Sequence, residues 1–468
     1  MRKPRLNKLK VVFIAILVFL ISYILRMNLV IPAFLLSIFF YFRFTYKDSN
    51  LTQIRILNLT FLFVIIFVIA HFIIKRMGSP WSLFYIPFCI APMLSAILFG
   101  DLEASLLLTL ASSISIASIA VNNFYLTILF LVSGMLSSIL VLGVRRRIVI
   151  IRAGLVIGLV QAVSLFFIDR FNIREPARYG ILMLNGIISS IIVTGILPVF
   201  EYLFKTVTNI SLLELADFNH PLLQRMILEA PGTYHHSLVV GNLSESVCQA
   251  VGANALLARV GAYYHDIGKL KNPEYFSENQ YIKMSIHDKL SPSMSKMVII
   301  NHVREGAELA NKYKLNPSLI DFILQHHGTS LVYYFYQRAL ENIEEDKSIK
   351  EEGFRYPGPR PKTREAAIVL LADSVEAATR SLKDPAPAKI EEVVHKIVNN
   401  KFIDGQLDEC DLTLKDLEKI SSCFIRILNG IYHSRITYPE KVQSGENNHK
   451  KSSRENSHLS EKDKKSNP

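Results

Sequence analysis

The chain has 468 residues, half of them apolar, with a formal net charge of +12 and a positive mean hydropathy, enough for at least two units, one of them in a bilayer. Four cysteines, Cys89, Cys248, Cys410 and Cys423, follow no spacing rule, so no disulfide frame or zinc knuckle follows from them. The basic excess sits at loops and termini flanking apolar runs, so it argues for membrane topology and not for nucleic-acid binding.

The first ten residues carry Arg2, Lys3, Arg5, Lys8 and Lys10 ahead of an apolar run from 11 to 25. A secretory signal would look similar, but no small-residue cleavage site follows. Instead the chain passes through Arg26-Met27-Asn28 into a second apolar run, 29 to 42. Each run is short of the roughly 20 residues a span needs, and together they are too long for one. A tight hairpin is expected, with a single kinked helix as the alternative. Further spans are expected at about 56–74, 81–99, 104–121, 124–144, 149–168 and 179–203. They are too apolar for water-exposed helices, and only helices or closed barrels satisfy their backbone in lipid. Residues 1–204 therefore read as a membrane domain of about eight helices. His71 is the one titratable side chain well inside a span, a thin basis for a transport pathway.

Lys/Arg bias sets the orientation. With the N-terminus inside, the cytoplasmic loops collect twelve Lys/Arg, including Arg145, Arg146 and Arg147, against six on the other side. An even number of spans returns the chain to the cytoplasm, where residues 205–440 would form a second domain. Its pattern is helical throughout. Thr233 is expected to N-cap a helix carrying His236 in its first turn, and a helix near 255–269 carries His265 and Asp266. A helix from about 293 to 313 carries His302. One from Pro317 stops at Gly328 with His326 and His327 in its last turn. A charged and then Pro/Gly-rich segment, 341–364, breaks the pattern before a helix from Arg364 to Leu382 carries Asp373, Glu376 and Arg380 on one face. Another helix opens at Leu412-Thr413-Leu414. Residues 441–468 are nearly devoid of apolar side chains and are expected to be disordered, a mildly basic tail.

A single histidine on a helix is more often a satisfied or exposed residue than a ligand. The ordered set His236, His265-Asp266, His302, His326-His327 and Asp373 is another matter. Neutral imidazoles and carboxylates suit iron, manganese, zinc or cobalt, and a carboxylate can be shared by two ions. Asp266 is placed to be that shared ligand. Lys269, on the same helical face as Asp266, could hold a phosphate oxygen. That is a layout for cleaving a phosphoester, with Asp266 and Lys269 as the catalytic pair.

The series resembles the HD-domain metal-dependent phosphohydrolases. Flanking words narrow the resemblance: Leu213-Glu214-Leu215, Asn219-His220-Pro221-Leu222-Leu223, the stretch from Glu229 to Ser237, Glu278-Asn279-Gln280, Phe354-Arg355-Tyr356-Pro357-Gly358-Pro359, and the stretch from Ala372 to Arg380. They are similar to the cytoplasmic domain of the seven-transmembrane HD family, the PgpH-type cyclic-di-AMP phosphodiesterases. The likeness runs from about residue 80 to about 440. It implies an all-α chain, a polytopic membrane bundle followed by a cytoplasmic helical HD domain, with two iron or manganese ions. One ion would take His236, His265, Asp266 and Asp373, and the other Asp266, His302, His326 and His327. Cyclic di-AMP would be opened to linear pApA, with Lys269 and Arg380 on phosphate, although Arg380 could equally pair with Glu376. The Phe354–Pro359 word would pack near the substrate cleft.

The sequence departs from the family where a large extracytoplasmic domain usually follows the first span, because only Arg26-Met27-Asn28 occupies that place. Sensing by such a domain cannot be carried over, and a homo-oligomer is possible without being specified. Three rivals stand beside the main reading: an HD hydrolase of cyclic di-GMP or another nucleotide, a membrane receptor that binds nucleotide without cleaving it, and a scaffold whose metals only stabilise the fold.

Overall fold

The structure, a computed structural model, describes residues 49–432 apart from 79, 120–123, 172, 174, 281–285 and 342–348. The expected hairpin at 11–42 and the polar tail at 441–468 lie outside these residues. Among the described residues there is no strand, only an isolated antiparallel bridge between Leu331 and Arg355.

Five helical stretches are long and apolar enough to cross a membrane: Arg55–Met77, Trp81–Phe99, Leu102–Ile119, Arg147–Ile168 and Pro176–Phe204. A shorter apolar helix, Tyr125–Val141, lies among them. These six match the six later spans read from hydropathy. The second is not one continuous helix. A 3-10 turn, Pro80–Tyr85, gives way at Ile86-Pro87 to a ten-residue helix, Ile90–Phe99. Pro87 lacks an N–H to continue the ladder. The interrupted carbonyls of Phe84 and Ile86 accept from Asn185 Nδ2 at 3.0 and 2.9 Å, so the break is satisfied inside the protein.

The last apolar helix, α1 (Pro176–Phe204), ends at Lys205 in the left-handed region, φ 53°. Glu201, buried near its end, accepts from Thr208 N at 3.1 Å, from the Thr208 hydroxyl at 2.5 Å and from Ser211 Oγ at 2.7 Å. Thr208 caps the first helix of the next unit, α2 (Asn209–Leu215). Leu215 then offers its carbonyl to the hydroxyl of Tyr264 at 2.7 Å, one residue before His265. A continuous set of hydrogen bonds thus connects the membrane helices to the segment that carries the His-Asp pair.

The second unit is built on α3 (Pro231–Val251), α4 (Ala255–Tyr264), α5 (Pro292–Lys312), α6 (Pro317–Gln325), α7 (Arg364–Arg380), α8 (Pro387–Ile403) and α9 (Leu414–Ile431). Val240, Leu243 and Val247 of α3 share a core with Ile368, Leu371 and Val375 of α7 and with Ile420 and Phe424 of α9. Two expectations shift by a turn or less. Pro231, with its fixed φ, starts α3 earlier than Thr233, which places His236 in the second turn. Thr233 is not the cap, and its N–H is taken by Asn279 Oδ1 at 3.1 Å. The helix expected to run to residue 269 ends as α-helix at Tyr264, and Ile267–Lys271 continues as a 3-10 turn. His265 and Asp266 therefore sit at the helix end, between two helical forms.

Candidate metal centre

Five helices are folded so that the seven predicted His and Asp residues meet. α3 supplies His236, the end of α4 supplies His265 and Asp266, α5 supplies His302, the end of α6 supplies His326 and His327, and α7 supplies Asp373. Two groups of potential ligand atoms result: His236, His265 and Asp266, and Asp266, His302, His326 and His327, each within 4.8 Å. Asp266 belongs to both. Asp373 touches the two sides, with Oδ1 3.0 Å from His236 Nε2 and Oδ2 3.5 Å from His327 Nδ1. All except His327 are buried.

The far side of the rings settles which nitrogen faces inward. His265 Nδ1 donates to the Ala262 carbonyl at 2.6 Å, His302 Nδ1 to Ile299 O at 2.5 Å, and His326 Nδ1 to Ile323 O at 2.8 Å. A carbonyl can only accept, so each Nδ1 carries a hydrogen and each Nε2 turns inward, where it presents a lone pair when the ring is neutral. His236 Nδ1 is held likewise by Glu376 Oε2 at 2.5 Å. The inward lone pairs then face one another or carboxylate oxygens: His302 Nε2 is 3.2 Å from His326 Nε2 and 3.3 Å from Asp266 Oδ1. His265 Nε2 and both Asp266 oxygens complete no hydrogen bond, although charged atoms surround them. Acceptors converging on acceptors are repulsive unless a cation lies between them, and this donor set fits divalent metal.

The electrostatics agree. Burial alone would raise Asp266, but His265 and Lys269 outweigh it and hold the carboxyl well below its usual range. Asp373 is likewise held well below, burial being overcome by His236 and His265. Burial opposes charge on His265, yet Asp266 and Asp373 outweigh it and raise its pKa to about 10. His326 goes the other way, lowered to about 4 chiefly by burial, and stays a neutral ligand. In the metal-free chain a proton on His265 thus stabilises the fold fully below the ordinary value of about 6.5. That contribution is lost as pH rises to about 10. Melting temperatures of metal-free protein are expected to fall across this window more steeply than those of manganese-loaded protein. Equal slopes would contradict it.

Lys269 is mostly enclosed, with its Nζ 2.7 Å from both Asp266 Oδ2 and Glu278 Oε1. Two carboxylates keep it charged against burial. Arg380 lies 3.4 Å from Glu376 Oε1 and is partly exposed. Tyr356, of the Phe-Arg-Tyr-Pro-Gly-Pro word, is buried and stacks on His327 with ring centroids 4.3 Å apart, so this segment packs against the centre.

Sequence reasoning did not assign Glu376 to His236 or Glu278 to Lys269. Glu376 is one turn beyond Asp373 on α7, which was the available signal. Glu278 comes from a separate 3-10 turn, Ser277–Asn279, and nothing in its spacing announces the pairing. Removing Glu376 frees the His236 ring to rotate. Glu376→Ala is expected to weaken metal binding by about 10- to 100-fold, read by metal titration. Unchanged affinity would show that α3 alone orients the ring.

A family model described as "7TM receptor with intracellular HD hydrolase" matches residues 21–208, and one described as "HD domain" matches residues 233–378. The chain is 47% identical over 329 residues to the cyclic-di-AMP phosphodiesterase PgpH of Bacillus subtilis, covering 69% of this chain and 46% of that protein. Against the Listeria monocytogenes PgpH it is 38% identical over 398 residues, covering 83% of this chain and 54% of that one. A crystal structure of the L. monocytogenes PgpH HD domain in complex with cyclic-di-AMP is 47% identical, with 46% of this chain and 100% of that chain covered and a TM-score of 0.45. The chain spans about half the length of the curated relatives it matches. It is a membrane protein with a divalent-metal site of His and Asp residues. By these matches the chain joins a membrane segment of the family described as "7TM receptor with intracellular HD hydrolase" to an HD domain, and it is similar to PgpH proteins.

Proposed function

We propose that this chain is a membrane-anchored phosphodiesterase that hydrolyses cyclic di-AMP to linear pApA and so lowers the level of a second messenger. The observation that carries the reading is the convergence of five histidines on Asp266, with Asp373 beside His236 and His327. The curated relatives' printed name, cyclic-di-AMP phosphodiesterase, supports the substrate. In this reading residues 1–204 form the membrane domain, 205–440 the HD domain on the cytoplasmic side, and 441–468 a polar tail.

His236, His265, Asp266 and Asp373 would hold one ion, and Asp266, His302, His326 and His327 the other, iron or manganese in either place. Such a pair supplies Lewis-acid charge for the phosphoryl oxygens and acidifies a water at neutral pH. The chain's own groups do the rest. Glu376 fixes the His236 ring, and the backbone carbonyls of Ala262, Ile299 and Ile323 fix three others. Lys269, hydrogen-bonded to Glu278 and ion-paired with Asp266, keeps Asp266 ionised and has an N–H left for a phosphoryl oxygen. Arg380, half exposed beside Glu376, would meet phosphate at the outer edge. As the water oxygen bonds to phosphorus, the bond from phosphorus to the ribose 3′ oxygen breaks, leaving a 5′-phosphate and a 3′-hydroxyl.

The test is turnover by the detergent-solubilised chain, with manganese or ferrous iron, on cyclic di-AMP and cyclic di-GMP. Preferential conversion of cyclic di-AMP to pApA is expected. Preference for cyclic di-GMP would move the substrate to the first rival, and binding without turnover would make the chain a receptor.

A further inference from the structure

Lys401 lies in the last turn of α8, and neither the ligand series nor the proposed chemistry uses it. Its ammonium donates to the Ser330 hydroxyl at 2.7 Å. Ser330 is buried and follows His327 through a tight turn in which the Ser330 N–H donates to the His327 carbonyl at 3.1 Å. The Ser330 carbonyl in turn accepts from the N–H of Tyr356, the residue stacked on His327. Lys401 therefore lies, through Ser330, beside the wall of the metal centre that His327 and Tyr356 form.

The other cations on this wall are spoken for. Lys269 is held by Asp266 and Glu278, Arg355 by Glu351 and Asp404, Arg360 by Asp408, and Arg380 by Glu376. Lys401 alone among these five forms no ion pair with a described carboxylate, and its one partner is neutral. Burial pulls its pKa down, while Asp373 and Asp404 act on it only from beyond contact. A desolvated ammonium with two N–H groups unused is poised for an anion.

We propose that Lys401 binds the second phosphate of the cyclic dinucleotide, the one that is not cleaved; this rests on the phosphodiesterase reading above. A cyclic dinucleotide carries two phosphodiesters in one ring. When one lies at the metal centre the other is brought against the protein and needs a cation of its own. Arg380 and Lys269 are already neutralised in part by carboxylates, and Lys401 is not. A purely structural Lys401, pinning the turn after His327 and complementing the end of α8, would serve every substrate alike.

The two roles separate on two substrates. Full-length protein loaded with manganese is assayed on cyclic di-AMP and on bis(p-nitrophenyl) phosphate, which has a single phosphodiester. Lys401→Gln is expected to raise KM for cyclic di-AMP by about 10- to 100-fold. The loss on bis(p-nitrophenyl) phosphate stays within about twofold, and Lys401→Arg restores most of the deficit. Titration of the metal-free protein with cyclic di-AMP should show the same weakening. Parallel losses on both substrates, or an unchanged KM for cyclic di-AMP, would overturn the assignment. Wild-type protein that cleaves bis(p-nitrophenyl) phosphate but neither binds nor cleaves cyclic di-AMP would instead sink the substrate reading, and Lys401's role with it.

Discussion

Asp266→Asn is expected to lower turnover of cyclic di-AMP by about 10³-fold or more, roughly 4 kcal/mol of lost transition-state stabilisation. The magnitude follows from position. Asp266 is the one residue common to both ligand groups, so neutralising it weakens two cation sites at once. It also removes a carboxylate 2.7 Å from the mostly enclosed Lys269, leaving Glu278 as that ammonium's remaining partner. The replacement is nearly isosteric, so the change in charge dominates over packing. Steady-state rates and bound metal per chain, measured on the same preparation, should fall together. Wild-type turnover in a variant that has lost metal would separate the chemistry from the cations.

A comparable loss, by another route, is expected for Gly268→Ala. Gly268 lies between Asp266 and Lys269 in the 3-10 turn, pressed against α5. A Cβ there would collide with the His302 carbonyl and stand 2.5 Å from Gly306 N. Both obstacles are backbone, which cannot rotate aside as a flexible side chain could. Either α5 or the 3-10 turn must move, costing about 3 kcal/mol, and His302 moves with α5. Thermal melting should drop by several degrees and the group containing His302 should lose metal. A variant that melts with wild type and retains its full metal content would show that these backbones part freely.

These two residues also mark how far the sequence could be read. The ligands were legible because imidazole and carboxylate side chains in that order have a chemistry of their own, independent of which turn they occupy. Their local geometry was less legible. A helix through residue 269 puts Lys269 on the Asp266 face, and the 3-10 turn reaches the same contact by other dihedrals. The 3-10 turn carries Gly268 into close contact with α5, a tertiary fact absent from local pattern. The resemblance already placed the word containing Tyr356 near the cleft, whereas Glu278 and Lys401 come from segments whose pairing no pattern announced, and only folding brings them to the centre. In the membrane part, hydropathy found the apolar runs but could not see that Pro87 interrupts one of them, because the compensating donor, Asn185, lies in another helix.

The central claim is that the converging histidines and aspartates hold two cations about a shared Asp266. Titrating metal-stripped protein with manganese tests it most directly. The account predicts two bound ions per chain, with one or both lost in Asp266→Asn. A stripped chain that takes up no manganese, or one whose binding is indifferent to Asp266, would contradict it.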